Sequence, residues 1–229
     1  SFVRLILATM LVGVGWEFSP QGDIALDAPI ATANGKPITG TISNWFVPSS
    51  NSKEFDLHSG FWTGFKAYPP LDPLDPTYEL TERKGFFNQS PTIIPRNRWQ
   101  FAHTVAGSVV VDPRYVMLEG GFKPGYTYDL TYQTKNPRVA STGAAAMRDA
   151  ATYFKNDPNS PIKAKYAYAY GGSQAARFLR VLMHEGFTID EKERKAFDAL
   201  WIHVGGASLG SFNRRFVQPN EGGFYTTTW

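Results

Sequence analysis

The sequence contains no cysteine. Disulfides, thiolate metal sites and a cysteine nucleophile are therefore excluded, and the redox compartment is left open. Histidine is scarce: the four, at positions 58, 103, 184 and 203, show no H-E-x-x-H or other ligand spacing. That argues against a zinc site, and no cofactor is expected. There is no long basic run either. The net charge is +3, and Lys192, Arg194 and Lys195 interleave with Glu191 and Glu193 as on a solvated helix face. A nucleic-acid partner would need a basic stripe, and none is visible. No apolar run approaches the roughly 20 residues of a membrane span. Neither G-x-x-x-x-G-K-[ST] nor G-x-G-x-x-G is present, which weakens a phosphate-loop reading. What remains is an ordinary globular composition: 229 residues, 42% hydrophobic and 19% charged, enough for one large domain.

One stretch organises the rest. Tyr166, Tyr168 and Tyr170 alternate with Ala167 and Ala169, the two-residue period of a strand with one bulky and one small face. From Gln174 the period becomes helical through Phe178, Leu179, Leu182 and Met183, with Gly186 as the C-terminal cap. Ser173 sits where the period switches. In a nucleophile elbow, G-x-S-x-G, a strand turns sharply into a helix and holds its serine in a strained conformation. The positions two before and two after the serine must be small, and here they are Gly171 and Ala175. Gly172 relaxes the turn further. The helix N-terminus, led by the N–H of Gln174, then faces a developing oxyanion. The bland alternative is a strand–turn–helix crossover whose serine only caps the helix.

The run Gly171-Gly-Ser-Gln-Ala-Ala-Arg-Phe-Leu-Arg180, with Glu185-Gly-Phe187, Phe197-Asp198 and Ile202-His-Val-Gly-Gly-Ala207, resembles a bacterial family of α/β-hydrolase-domain proteins. Members carry a G-x-S-Q-[SA]-x-R-F-L-R elbow. Gly15-Trp16, Leu118-Glu-Gly-Gly-Phe-Lys-Pro124, Arg148-Asp149 and Gly210-Ser-Phe-Asn-Arg-Arg-Phe-Val-Gln-Pro219 extend the likeness over nearly the whole chain. Alanine at 175 departs from the glycine usual there, but is the next smallest residue. The resemblance implies a serine hydrolase with an α/β-hydrolase-type, mostly parallel sheet, incomplete in this chain, and a β-rich insertion.

Read in order, Phe2–Val14 is apolar apart from Arg4 and Thr9. It reads either as a signal-peptide core, with no A-x-A-like site following, or as a helix end entering a central strand over Thr9–Val14. The resemblance at Gly15-Trp16 favours the strand. In the hydrolase fold the loop after such a strand supplies a second oxyanion donor, so the backbones of Gly15 and Trp16 are candidates. The Trp16 side chain alternatively packs over the core edge. Residues 18–124 form a β-rich, aromatic-rich insertion or cap, against a partial hydrolase core of 1–17 and 125–229. Asn34-Gly35 signals a hairpin, and a strand-like run follows from Ile38 to Val47. Trp45, Phe61, Trp62, Phe65, Phe86, Phe87, Trp99 and Phe101 either build a small core or wall a pocket over the serine. Tyr126–Gln133, a helix capped by Ser141 or Thr142, and the elbow strand are expected to form a right-handed βαβ crossover. Asp190 with Glu193 reads as a helix start running to about Phe197. Leu200–Val204 is a further buried strand, which would bring His203 and Ser208 to the pocket.

A serine needs a base and the base an orienting acid. Asp198 and His203 have the order Ser, acid, His, but they bracket one strand. At about 3.3 Å per residue, five strand residues spread the pair too far apart. The triad acid and base are therefore expected outside this chain, which reads as truncated and inactive alone. The expected activity is carboxylic ester hydrolysis of a small molecule through an acyl-enzyme on Ser173. A non-catalytic binding module on the same scaffold is the alternative.

Overall fold

The computed structural model describes residues 10–15, 26–57, 68–85, 90–139, 141–207 and 215–216. The first regular element is a hairpin, β1 (Thr32–Ala33) and β2 (Lys36–Pro37). Its turn residues Asn34 and Gly35 hold φ of 52° and 73°, as a type I′ turn requires. There follow β3 (Thr39–Phe46), β4 (Ser52–Asp56), β5 (Glu79–Lys84), β6 (Thr92–Ile94), a 3₁₀ turn over Arg96–Arg98, and β7 (Trp99–Gln100). Then come β8 (Ala102–Val105), β9 (Ser108–Val111), β10 (Tyr115–Phe122) and β11 (Tyr126–Lys135). Helix α1 (Thr142–Asn156), β12 (Tyr168–Gly172), helix α2 (Gln174–His184) and β13 (Ala199–His203) complete the described elements.

This arrangement overturns the expected mostly parallel α/β sheet. Among the described residues there are two α-helices, and the sheets are small and mainly antiparallel. The largest runs β3-β11-β5-β6, and a second runs β4-β10-β7. Among the described residues β12 and β13 are the one strand pair that runs parallel, beside a single parallel bridge between Gly85 and Tyr126. The expected βαβ crossover is absent, because β11 pairs with β3 and β5 while β12 lies in another sheet. Alternation gives β11 one dry face, on which Tyr128, Leu130 and Tyr132 are no more than 1% exposed. It does not choose the partner strand. That face is covered within the antiparallel body, where Leu130 lies opposite Leu80 and both are fully buried. Burying each such leucine contributes about 1.5–3 kcal/mol.

The core of this body is aromatic. Phe46 stacks on Phe55, Phe122 meets Tyr128 edge to face, and Phe101 lies against Trp99, Tyr78 and Tyr132. Trp99 and Phe101 are thus core side chains, and Trp45 is half-buried. Phe61, Trp62, Phe65, Phe86 and Phe87 lie outside the described residues. The proline-rich loop before β5 is fixed by Arg96, which donates to the carbonyls of Pro73, Asp75 and Trp99 and covers the Trp99 ring.

A second, smaller core joins α1, α2 and β12 through Ala144, Ala169, Phe178, Leu179, Leu182, Ala196 and Phe197, with Leu200 and Ile202 of β13 packed against it. The alanine face of β12 is buried and its tyrosine face exposed. Ala169, with no bulk beyond Cβ, lets Phe178 and Leu182 of α2 come close. Gly186, at φ 82°, ends α2: its N–H donates to Met183 and that of Phe187 to Leu182, the two bonds of a Schellman motif.

Four local expectations fail. The strand expected to be buried over Leu200–Val204 runs Ala199–His203, and none of its residues is buried, because its outer face carries Trp201 and His203 into solvent. Residues 10–14 form no strand, and Met10, Leu11 and Val12 are exposed; Thr9 lies outside the described residues. Neither Ser141 nor Thr142 caps α1 through its side chain: Ser141 is left-handed, and the Thr142 hydroxyl donates back to Val139. No helix follows Asp190. Its carboxylate accepts the N–H groups of Lys192 and Arg194 and the Arg194 guanidinium. Such short-range bonds offer the backbone a turn in place of a helix.

Candidate active site

Ser173 joins β12 to α2 with φ 53° and ψ −112°. That is outside the regions open to ordinary L-residues and costs on the order of 1–3 kcal/mol. A serine that merely caps a helix is extended and accepts an N–H from the first turn. Ser173 is not extended and makes no such bond. Its backbone is tied instead. The Ser173 N–H donates to the His203 carbonyl at 3.0 Å, and its carbonyl accepts the Arg177 N–H at 3.1 Å. The side chain is exposed at the rim.

The glycines beside it are not equivalent. A Cβ on Gly171 would lie 2.6 Å from the Ala175 carbonyl oxygen and 2.9 Å from the Ala176 nitrogen. The backbone of α2 folds back onto this position, and only glycine fits. On Gly172 a Cβ would meet only the Tyr170 hydroxyl, at 3.5 Å. Gln174 opens α2, so the first-turn N–H groups, which lack intrahelical acceptors, gather beside Ser173.

His203 ends β13 directly opposite Gly172. Its carbonyl holds the Ser173 N–H, and its exposed ring lies 6.5 Å from that of Tyr170 at 25°. Asp198 is at the other end of β13. Its carboxylate accepts the Ala167 N–H and the Lys155 ammonium, both at 2.9 Å. The Ala167 N–H, and then Lys155, hold its pKa below the usual carboxylate value. Asp198 therefore fastens β12 to α1 and β13, and no bond joins it to His203. Gly15 has no hydrogen bond to the elbow, and Trp16 and Ser208 lie outside the described residues. Among the described residues Ser173 Oγ has no hydrogen-bond partner, and no cluster of three or more His, Asp or Glu could hold a metal. A separate histidine–carboxylate pair, His103 with Asp112 at 3.2 Å, belongs to the antiparallel body.

Two further features mark the rim. Val204, just past β13, also holds a positive φ, 51°. The face of β12 and β13 below the rim is a row of exposed rings, Tyr168, Tyr170 and Trp201. Alternation had marked the tyrosines as a face of their own; nothing in the residue types marks Val204 as left-handed. No family model, no curated protein and no solved structure matches this chain. Among the described residues no helix is long and apolar enough to cross a membrane.

Proposed function

We propose that this protein is a serine hydrolase that cleaves carboxylic esters through an acyl-enzyme on Ser173. The observation that carries the reading is the strained, uncapped backbone of Ser173 between β12 and α2. Outliers of this kind persist where the surroundings over-determine them, and they cluster at active sites. The reading rests on the local strand–serine–helix unit, not on the sheet around it. Serine nucleophiles recur on unrelated folds, and function lives in sites rather than folds.

The chemistry would run in two steps. Ser173 Oγ bonds to the ester carbonyl carbon while the carbonyl electron pair moves onto oxygen. The first-turn N–H groups of α2 and the dipole behind them favour that charge. Collapse expels the alcohol, which leaves with the serine proton, and an acyl-enzyme remains. Water then adds to the acyl carbon and releases the carboxylic acid, restoring the hydroxyl. The base that relays these protons is not among the described neighbours of Ser173. His203 stands nearest along the ladder, and its own orienting acid would have to be other than Asp198.

The test is covalent labelling of the intact protein by a fluorophosphonate, with the adduct located by peptide mass spectrometry. Wild type should be labelled at Ser173 and Ser173→Ala should not be. Equal labelling of both would refute the assignment and leave the non-catalytic module.

A further inference from the structure

Ser173 shares its rim with a second strained residue. Gly172 lies opposite His203 across the parallel ladder, and the Ser173 N–H donates to the His203 carbonyl. Val204, the next residue, therefore leaves β13 beside the point where Ser173 leaves β12. Its φ is 51°. For a β-branched side chain that is an outlier rather than a tolerated variant. Two glycines follow at once, so the chain uses glycine in this turn and still keeps valine at the position that strains it.

Packing does not repay the strain. The Val204 residue is 69% exposed. Yet the turn is held in place from two sides. Gly205 closes on Ala176 of α2, where a Cβ would lie 3.0 Å from the Ala176 Cβ, and Arg180 of α2 donates to the Gly206 carbonyl. The helix that carries the Ser173 elbow thus also fixes the turn that presents Val204. The turn thus holds an exposed apolar residue on a costly backbone beside the proposed nucleophile.

We infer that Val204 is a specificity-determining residue: its isopropyl group is the apolar wall against which the acyl chain of the ester lies while its carbonyl carbon meets Ser173 Oγ. The substrate class is then an ester of an aliphatic acid. This deepens the hydrolase proposal and rests on it. Apolar contact of this kind discriminates by tens of fold per group removed, not by thousands.

The experiment compares two fluorophosphonates on the intact protein, one with only a short alkyl group on phosphorus and one with a chain of about ten carbons, whose contact area is the larger. Second-order labelling rates at Ser173 are measured for wild type, Val204→Gly and Val204→Thr, with the melting temperature of each. Val204→Gly should melt no lower than wild type, since glycine releases the strain. It should keep its rate with the short probe and lose about tenfold with the long one. Val204→Thr keeps the branching and the strain but replaces a methyl by a hydroxyl; it should show the same selective loss without any gain in melting temperature. Loss of rate with both probes alike, or unchanged selectivity in both variants, overturns the inference and leaves Ser173 intact. Absence of labelling in wild type overturns the serine reading, and this inference with it.

Discussion

The two glycines before Ser173 allow a sharp contrast. In Gly171→Ala the new Cβ would sit 2.6 Å from the Ala175 oxygen, 2.7 Å from the Ala175 carbonyl carbon and 2.9 Å from the Ala176 nitrogen. All three are backbone atoms in the first turn of α2, so no side chain can rotate away. Relief requires the helix start to move by several tenths of an ångström from β12. Overpacking of this kind costs about 1–3 kcal/mol. At about 2–4 °C per kcal/mol for a chain of this size, the melting temperature should fall by about 2–12 °C. Gly172→Ala faces a different neighbourhood: its Cβ would meet one hydroxyl at 3.5 Å, and Gly172 is not among the positive-φ glycines. Replacing such a glycine stabilises by about 0.4–1 kcal/mol, through the unfolded chain. Thermal unfolding followed by circular dichroism, with fluorophosphonate labelling of Ser173 on the same samples, reads both effects. Gly171→Ala should lose stability and at least tenfold in labelling rate; Gly172→Ala should lose neither. If the two variants behave alike, the close approach of α2 to β12 is not what shapes the elbow, and the argument fails.

Two further outcomes follow from the packing and the charges. Phe216 is 7% exposed and rests on Gly40 and, edge to face, on Tyr68; Phe216→Ala should cost about 3–5 kcal/mol in urea unfolding, and a cost below 1 kcal/mol would show that this ring is not part of the antiparallel core. The Asp190 carboxyl is held down to about 2, first by its bond to Arg194, so its contribution is fully present above the unfolded-state value of about 3.9 and lost as pH falls through about 2. Wild type should therefore exceed Asp190→Asn in stability at pH 7, with the gap closing between those two values; a gap that stays constant down to pH 2 would refute the assignment.

Local geometry was legible in the sequence where short-range sterics decide it. Gly171 and Ala175 around Ser173 announce a backbone that folds back on itself, and the structure places the Ala175 backbone against Gly171. The alanine and tyrosine faces of β12 follow from alternation. Strand pairing was not legible, because a two-residue period states which face is dry and not which strand lies alongside. Tyr126–Gln133 satisfies a parallel crossover and an antiparallel meander equally well, and β3 and β5 claim it. The turn at Asp190 failed for a related reason: acid followed by acid three residues later opens a helix or closes an Asx turn. The Arg194 guanidinium on Asp190 favours the second. Val204 carries no sequence signal, since valine in a run of Leu-Trp-Ile-His-Val reads as strand.

The expected sheet is absent among the described residues, so the described contacts that hold the strain at Ser173 are local. The strain costs on the order of 1–3 kcal/mol. Against it stand two backbone hydrogen bonds on Ser173, to His203 and from Arg177, each contributing about 0.5–1.5 kcal/mol net. Phe178, Leu179 and Leu182 anchor α2 with no more than 3% exposure. At the far end of β12, Asp198 binds the Ala167 N–H and the Lys155 ammonium together, which opposes sliding of the strand. One parallel strand pair, one helix and one ionic clamp thus over-determine the serine. The same inventory explains why Asp198, which follows Ser173 in the order a triad requires, does not reach it: its carboxylate is committed to Ala167 and Lys155 at the opposite end of the strand pair.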